Sequence, residues 1–366
     1  MASGPTKVLA LDAIRGLAIL AVIADHYSEV LRPYSWGHLV DFLVRTAGHG
    51  WVGVDLFFVL SGFLITGLLW KRQARPNYYA DFYARRALRI LPVYSLVVLA
   101  FALTVAPPAF VVASLFFVSN FAGPAGAYGP LWSLSIEEQF YFVWPAVVRR
   151  VSPRAVMYVA AAILCCAPFA RIGAFQAGLG QGAPGGPTDS IYYWTIFHLD
   201  GLAAGVLLAG LARETSEPGR SFAMAGFVAS GGCVALLVGM RLLGEQVLHR
   251  STAAGAGFQF TLVALGCMAL VAFALAVEQT RLRTMVKGVL PFYGDISYGL
   301  YLIHLLVLLA VAWLCGRLVP SLQPRTLALV TVTLALATAT GVAYLSRWHF
   351  EEWFLRLKSR LDGRDS

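Results

Sequence analysis

"LDAIRGLAILAVIADHYSEV", residues 11–30, reads as the greater part of a membrane-spanning helix, yet it carries Asp12, Arg15, Asp25 and His26 in an otherwise apolar run. A charged side chain at the centre of a spanning helix costs about 2.5–3.5 kcal/mol on insertion scales. Two explanations compete. Either some of these groups sit at the interface and snorkel to water, or the helix lines a polar site inside a bundle.

The surrounding composition settles the class. Of 366 residues 58% are hydrophobic and only 13% charged, about half the charged share of a soluble domain. The apolar residues fall in long blocks, so the chain reads as an all-α integral membrane protein. Its formal charge of +9 would suggest a nucleic-acid partner in a soluble protein. Here the cytoplasmic-loop bias of membrane proteins accounts for it, and no nucleic acid is expected. The five cysteines all lie in apolar segments without metal-ligand spacing, so they read as small packing residues, with neither a disulfide framework nor a metal.

Ten spans follow from the apolar blocks: 8–30, 51–70, 90–106, 131–148, 155–171, 191–212, 222–240, 257–278, 296–316 and 326–346. The third and fifth are short. The extra apolar stretch 109–121 is too short to cross comfortably and reads as re-entrant or interfacial. With the N-terminus inside, twenty Lys and Arg residues fall on the cytoplasmic side and seven on the other, with Arg15 inside a span. That bias puts both termini in the cytoplasm, and counting 109–121 as a span would spoil it.

The first span is expected to persist rather than be cleaved as a leader, being long, charge-interrupted and without a small-residue cleavage site. Residues 1–346 form the bundle. The tail, 347–366, sets Trp353, Phe354, Leu357 and Leu361 on one side of a basic helix, a pattern suited to the cytoplasmic surface of the bilayer. The loop 177–190 is glycine- and proline-rich and extracytoplasmic, and it lacks a lysine to hold phosphate.

Arg15 and His26 are eleven positions apart, which returns them to nearly the same helix face roughly 16 Å apart along the axis. Asp12, one turn before Arg15, can pair with it. An interfacial anchor remains a plain reading of His26 alone. For the two together, a face turned to a polar interior is the better one.

An arginine, ten intervening residues and a histidine in a first span resemble the signature of the membrane-bound acyltransferase family 3. Four further stretches resemble the same family, in family order: "GWVGVDLFFVLSGFLITGLL" (50–69), "FYARRALRILPVY" (82–94), "GPLWSLSIEEQFYFVWP" (129–145) and "ISYGLYLIHLLVL" (296–308). The resemblance covers essentially the whole chain. It implies transfer of an acyl group, usually acetyl from acetyl-CoA, to a hydroxyl of a saccharide-containing acceptor: a surface polysaccharide, a lipid-linked saccharide, peptidoglycan or a glycosylated small molecule. It also implies a multi-pass protein of the bacterial cytoplasmic membrane. Some members carry a secreted hydrolase-like domain after the bundle, and none is expected after the tenth span here.

Acyl transfer from a thioester to an alcohol needs a base at the hydroxyl and positive charge near the thioester oxygen and the CoA phosphates. A neutral histidine suits the first task and arginine the second, so His26 is the expected general base and Arg15 a donor-binding or oxyanion-stabilising residue. Asp25 is a doubtful orienting partner, because adjacent helical residues point about 100° apart. Arg86 and Arg89, one turn apart at the cytoplasmic mouth of span three, fall on the family's paired-arginine motif, which the resemblance links to acyl-CoA; ordinary cytoplasmic charge is the alternative. Arg72 and Arg85 read as topological charge.

Glu137 and Glu138, inside span four, are either catalytic or a structural salt bridge to Arg15 or Arg89. Asp55 and Ser61 read as structural. Tyr298, Tyr301 and His304 form one edge of span nine, and packing with satisfied polar tips is their expected role. Asp200 is a weak, unexplained candidate, and Arg171 counts as an extracytoplasmic charge. A multi-span transporter or flippase of a saccharide-containing substrate also buries charges. The internal repeats that would favour it are not evident.

Overall fold

A computed structural model describes residues 8–104, 106–122, 129–179, 190–214, 252–278 and 288–362, together with 222, 226, 227, 230 and 231, and the side chains of 358–362 are not described. The described residues are helical throughout, without strands. In chain order the helices are α1 (Leu9–Leu31), α2 (His38–Ala47), α3 (Val52–Arg72), α4 (Tyr78–Thr104), α5 (Pro108–Leu115), α6 (Pro130–Arg150), α7 (Pro153–Gln176), α8 (Ser190–Tyr193), α9 (Leu199–Glu214), α10 (Ala253–Glu278), α11 (Val289–Leu318), α12 (Pro324–Leu345) and α13 (Glu352–Asp362). The expected seventh span (222–240), most of the loop 177–190 and several of the basic residues behind the charge bias lie outside the described residues.

Six helical stretches are long and apolar enough to cross a membrane: His38–Arg72, Tyr78–Thr104, Pro153–Gln176, Ala253–Glu278, Val289–Leu318 and Pro324–Leu357. The protein is therefore a multi-pass membrane protein. α1 and α6, at 23 and 21 residues, are long enough but interrupted by charge. These two helices carry most of the expected site residues. α4 and α7 extend well beyond the short spans 90–106 and 155–171, reaching 27 and 24 residues.

α5 has eight residues, about 12 Å of helix, and cannot cross on its own. The chain turns after it at Phe117, whose φ of 55° makes it the one left-handed non-glycine among the described residues. The Phe117 ring stacks on Tyr94 at 4.7 Å, and its carbonyl accepts a hydrogen bond from Gln139 Nε2 at 2.7 Å. These contacts tie the 109–121 segment to α4 and α6. α2, not anticipated from the sequence, presents Leu39, Phe42 and Leu43 outward, as a helix at the bilayer interface does.

Small residues set the tightest crossings. A methyl group on Gly294 of α11 would run into the Asp12 carbonyl of α1, and one on Gly16 of α1 into the Leu290 carbonyl of α11. Gly62 of α3 and Gly205 of α9 meet opposite backbones in the same reciprocal way. Small-residue contacts of this kind let membrane helices approach closely where lipid offers no hydrophobic drive. α1 thus packs along α11 on one side and against α3 on the other, while α4 and α6 close the space between. The tail continues α12 through a π turn, Ser346–Glu351, and α13 packs against α4.

Candidate active site

One wall of the site is the interior face of α1. Arg15 Nη1 bonds Asp12 Oδ1 at 2.9 Å, the one-turn pair that the spacing permits, and Arg15 stays about a quarter exposed (28%). Eleven residues on, His26 Nδ1 lies 3.0 Å from His304 Nε2 of α11, with ring centroids 5.1 Å apart. His304 is fully buried, and its Nδ1 faces the carbonyls of Tyr301 at 2.7 Å and Leu300 at 3.2 Å. Tyr27 donates to the His304 carbonyl at 3.2 Å. His304 is thus packed with its polar tips satisfied, as expected, and one of the partners is the His26 ring.

The opposite wall is α4 against α6. Because α4 begins at Tyr78, Arg86 is two turns inside a helix rather than at its mouth, at the depth of the α6 carboxylates. Arg86 reaches Glu138 Oε1 at 3.4 Å and Glu137 Oε2 at 3.7 Å, and its guanidinium lies 3.7 Å from the Tyr141 ring centroid. The Tyr141 hydroxyl donates to Glu137 at 3.2 Å and shares a short hydrogen bond with Ser61. The glutamates do pair with an arginine, but with Arg86, not with Arg15 or Arg89 as expected.

Arg89 differs from its neighbour. Its side chain is solvent-accessible, and among the described residues it makes no hydrogen bond or ion pair. The groups that act on it electrostatically are Arg15, Arg86, Glu351 and the Tyr298 hydroxyl. It is a cation held among the site residues with its donors uncommitted. Arg85, expected to be surface charge, is instead buried, 3.8 Å from Asp81.

The two walls are linked through α11. The Tyr301 hydroxyl shares a short hydrogen bond with Ser133 of α6, and its ring centroid is 6.0 Å from that of His304. Tyr298 donates to the Ile90 carbonyl of α4 at 2.7 Å. The tyrosine tips are satisfied, as expected of packing residues. The three-residue spacing of Tyr298, Tyr301 and His304 was the available signal that this edge is special; the partner of each could not be read from it.

A second buried network stands apart. Arg171 and Asp200 are both fully buried and joined at 2.9 Å. Arg171 also donates to the carbonyls of Phe197 (2.6 Å) and Gly257 (2.8 Å) and to Thr261 Oγ1 (2.6 Å), while Thr261 donates to Asp200 at 2.8 Å. Arg171 is thus no extracytoplasmic loop charge, and Asp200 is accounted for as its counter-ion. With each guanidinium nitrogen matched to an acceptor, this group fastens α7, α9 and α10 together. Asp55, on α3, faces His198 at 4.0 Å. No group of three or more His, Cys, Asp or Glu among the described residues is placed to hold a metal ion.

The geometry sets a histidine toward one end of the α1 face, Arg15 toward the other, and the exposed Arg89 of α4 among the groups that act on one another electrostatically. Comparison with known proteins places the chain in a family. A family model described as an acyltransferase domain, acyltransferase 3, matches residues 8–348. The peptidoglycan O-acetyltransferase OatA of Listeria monocytogenes is 36% identical over 163 residues, 38% of this chain and 24% of that protein. The putative peptidoglycan O-acetyltransferase YrhL of Bacillus subtilis is 30% identical over 216 residues, 50% of this chain and 30% of that one. The O-acetyltransferase OatA of Staphylococcus aureus is 31% identical over 179 residues, 42% and 27% of the two chains. The chain spans less than a third of the length of these relatives. No solved structure matches it.

Proposed function

We propose a function for this protein from one premise: the chain belongs to the acyltransferase 3 family. Its activity on this reading is transfer of an acyl group, acetyl by analogy with the relatives, from acyl-CoA to a hydroxyl of a saccharide-containing acceptor. The names of the relatives make peptidoglycan the first acceptor to try. What supports the reading is the exposed Arg89, acted on electrostatically by the partly exposed Arg15, whose helix carries His26 eleven residues further on.

Arg89 and Arg15 bind the CoA diphosphate from the cytoplasmic side, both termini being cytoplasmic. The roughly 16 Å of helix between Arg15 and His26 is a distance the extended pantetheine arm of CoA can cover. His26 takes the acceptor proton as the hydroxyl oxygen attacks the thioester carbon. When the carbon–sulfur bond breaks, the proton passes to the CoA sulfur. Glu137 and Glu138 hold Arg86, and through it the α4 face that presents Arg89. The protein sits in the bacterial cytoplasmic membrane.

The test is CoA release by the purified protein in lipid nanodiscs, supplied with acetyl-CoA and soluble peptidoglycan fragments. His26→Ala is expected to lower turnover at saturating acetyl-CoA by about 10²–10⁴-fold, the range for a lost general base. Arg15→Lys keeps the charge but loses the planar fork and is expected to be partly active. Absence of acceptor-dependent CoA release from the native protein would overturn the enzyme reading in favour of transport. Near-normal turnover of His26→Ala would make the histidine an anchor.

A further inference from the structure

His304 has two carbonyl oxygens at Nδ1, Tyr301 at 2.7 Å and Leu300 at 3.2 Å. A carbonyl can only accept, so His304 Nδ1 carries a proton. The ring is fully buried, and no carboxylate lies within ion-pair distance of either histidine among the described residues. A second proton would leave an uncompensated cation in the bundle interior, so His304 is neutral and its Nε2 is an acceptor. Among the described residues only His26 Nδ1, at 3.0 Å, is placed to donate to it. A neutral His26 protonated on Nδ1 then keeps its lone pair on Nε2, the ring nitrogen farther from its own backbone.

We propose that His304 is a positioning residue that fixes His26 in the tautomer with a bare Nε2, through the chain Tyr301 carbonyl, His304 and His26. The inference rests on the reading of His26 as the base and adds which nitrogen acts and what holds it. In the reaction the acceptor hydroxyl gives its proton to His26 Nε2, and the same proton leaves to the CoA sulfur. His304 exchanges no proton. It accepts from His26 Nδ1–H throughout, and that bond strengthens while His26 is positively charged. A tautomer set by the hydrogen bond at the other ring nitrogen is the general way a histidine base is prepared.

Two measurements test it. The first uses the native full-length protein, ¹⁵N-labelled at histidine in nanodiscs, with the His26 signals assigned by their loss in His26→Gln. The neutral Nδ1–H form is expected; a predominantly Nε2–H form at His26 overturns the proposal whatever the activity. The second compares His304→Phe, which keeps a flat ring and removes the acceptor, with His304→Gln, which restores an acceptor oxygen. With acetyl-CoA and peptidoglycan fragments, the Phe protein should lose on the order of 10²-fold in kcat with KM for acetyl-CoA within about twofold. The Gln protein should recover at least about tenfold of that loss. Equal activity of His304→Phe and the native protein overturns the proposal, as does a Gln protein no better than the Phe protein. A dead His26→Ala alongside a fully active His304→Phe would leave the base in place and remove only its positioning. An active His26→Ala would instead remove the base reading itself.

Discussion

The paired arginines of α4 look equivalent in sequence, but the structure separates them, and this gives a test that a double substitution would hide. Arg89 is accessible and makes no ion pair among the described residues, whereas Arg86 is the counter-ion of two carboxylates whose side chains are each 15% exposed. On the proposed reading, Arg89→Ala removes only donors that would meet the CoA phosphates. Hydrogen bonds to a charged partner contribute about 1.5–3 kcal/mol, which corresponds to about a 10- to 150-fold rise in KM for acetyl-CoA. Turnover at saturation and thermal stability should stay near native. Arg86→Ala leaves Glu137 and Glu138 facing each other without a cation, a change of the kind that costs about 3–5 kcal/mol of stability. Its main signature should be a lower unfolding midpoint in detergent. Adding Glu137→Gln and Glu138→Gln should restore much of that loss, because the uncompensated charge is then gone. The assay is paired: steady-state kinetics in nanodiscs and fluorescence-detected unfolding of the same preparations. Unchanged KM for Arg89→Ala, or an Arg86→Ala protein of native stability with a raised KM, would refute the division of labour.

Two further predictions concern the scaffold. Asp200→Ala should cost about 3–5 kcal/mol by stranding Arg171, and Arg171→Met with Asp200→Leu should recover most of it, measured as unfolding in detergent; turnover that falls at native stability would instead make Asp200 part of the chemistry. Reporter fusions after Arg75 and after Ser366 should both report cytoplasm, and an external signal from either would contradict the orientation proposed for delivery of CoA to Arg89 and Arg15.

The helical membrane class and the relations within one helix were legible in the sequence because both depend on local pattern. Long apolar blocks announce spans, and the eleven-residue spacing of Arg15 and His26 fixes a common face without tertiary information. The Asp12–Arg15 pair was legible for the same reason. Pairings across helices were not. Nothing local distinguishes Arg86 from Arg89 as the partner of Glu137 and Glu138; the choice depends on where α4 begins, and apolarity alone started that span at residue 90 rather than at Tyr78. Arg171 looked like a loop charge because a basic residue near a span end usually is one. Only the packing of α7 against α9 and α10 reveals that it is fully buried with an acid waiting for it. That His26 is a partner of the buried His304 could not be read locally, because the two lie 278 residues apart in sequence.

That long-range contact has a local origin in two glycines. Gly16 precedes His26 by ten residues, and Gly294 precedes His304 by ten. α1 and α11 run in the same direction, since Gly294 meets Asp12 near one end of α1 and His304 meets His26 further along. Ten residues is a step of seven and three, the spacing that keeps side chains on one seam between two helices crossing at a shallow angle. Ile19 and Ile23, buried between the two sites on α1, fill that seam. The backbone approach at the glycines therefore sets how closely the imidazoles meet, and a substitution remote from any polar group should disturb them. In Gly294→Ala the new methyl would lie within bonding distance of the Asp12 carbonyl, a backbone atom that cannot swing aside, so the helices must part or shift. A displacement of roughly 1 Å at a reacting group can cost on the order of 10²-fold, and a loss of that size in turnover is expected. Gly316→Ala on the same helix meets nothing within 4 Å and serves as the control, with turnover near native. Native activity in Gly294→Ala, in protein as well folded as the control, would show that the histidines do not depend on this crossing.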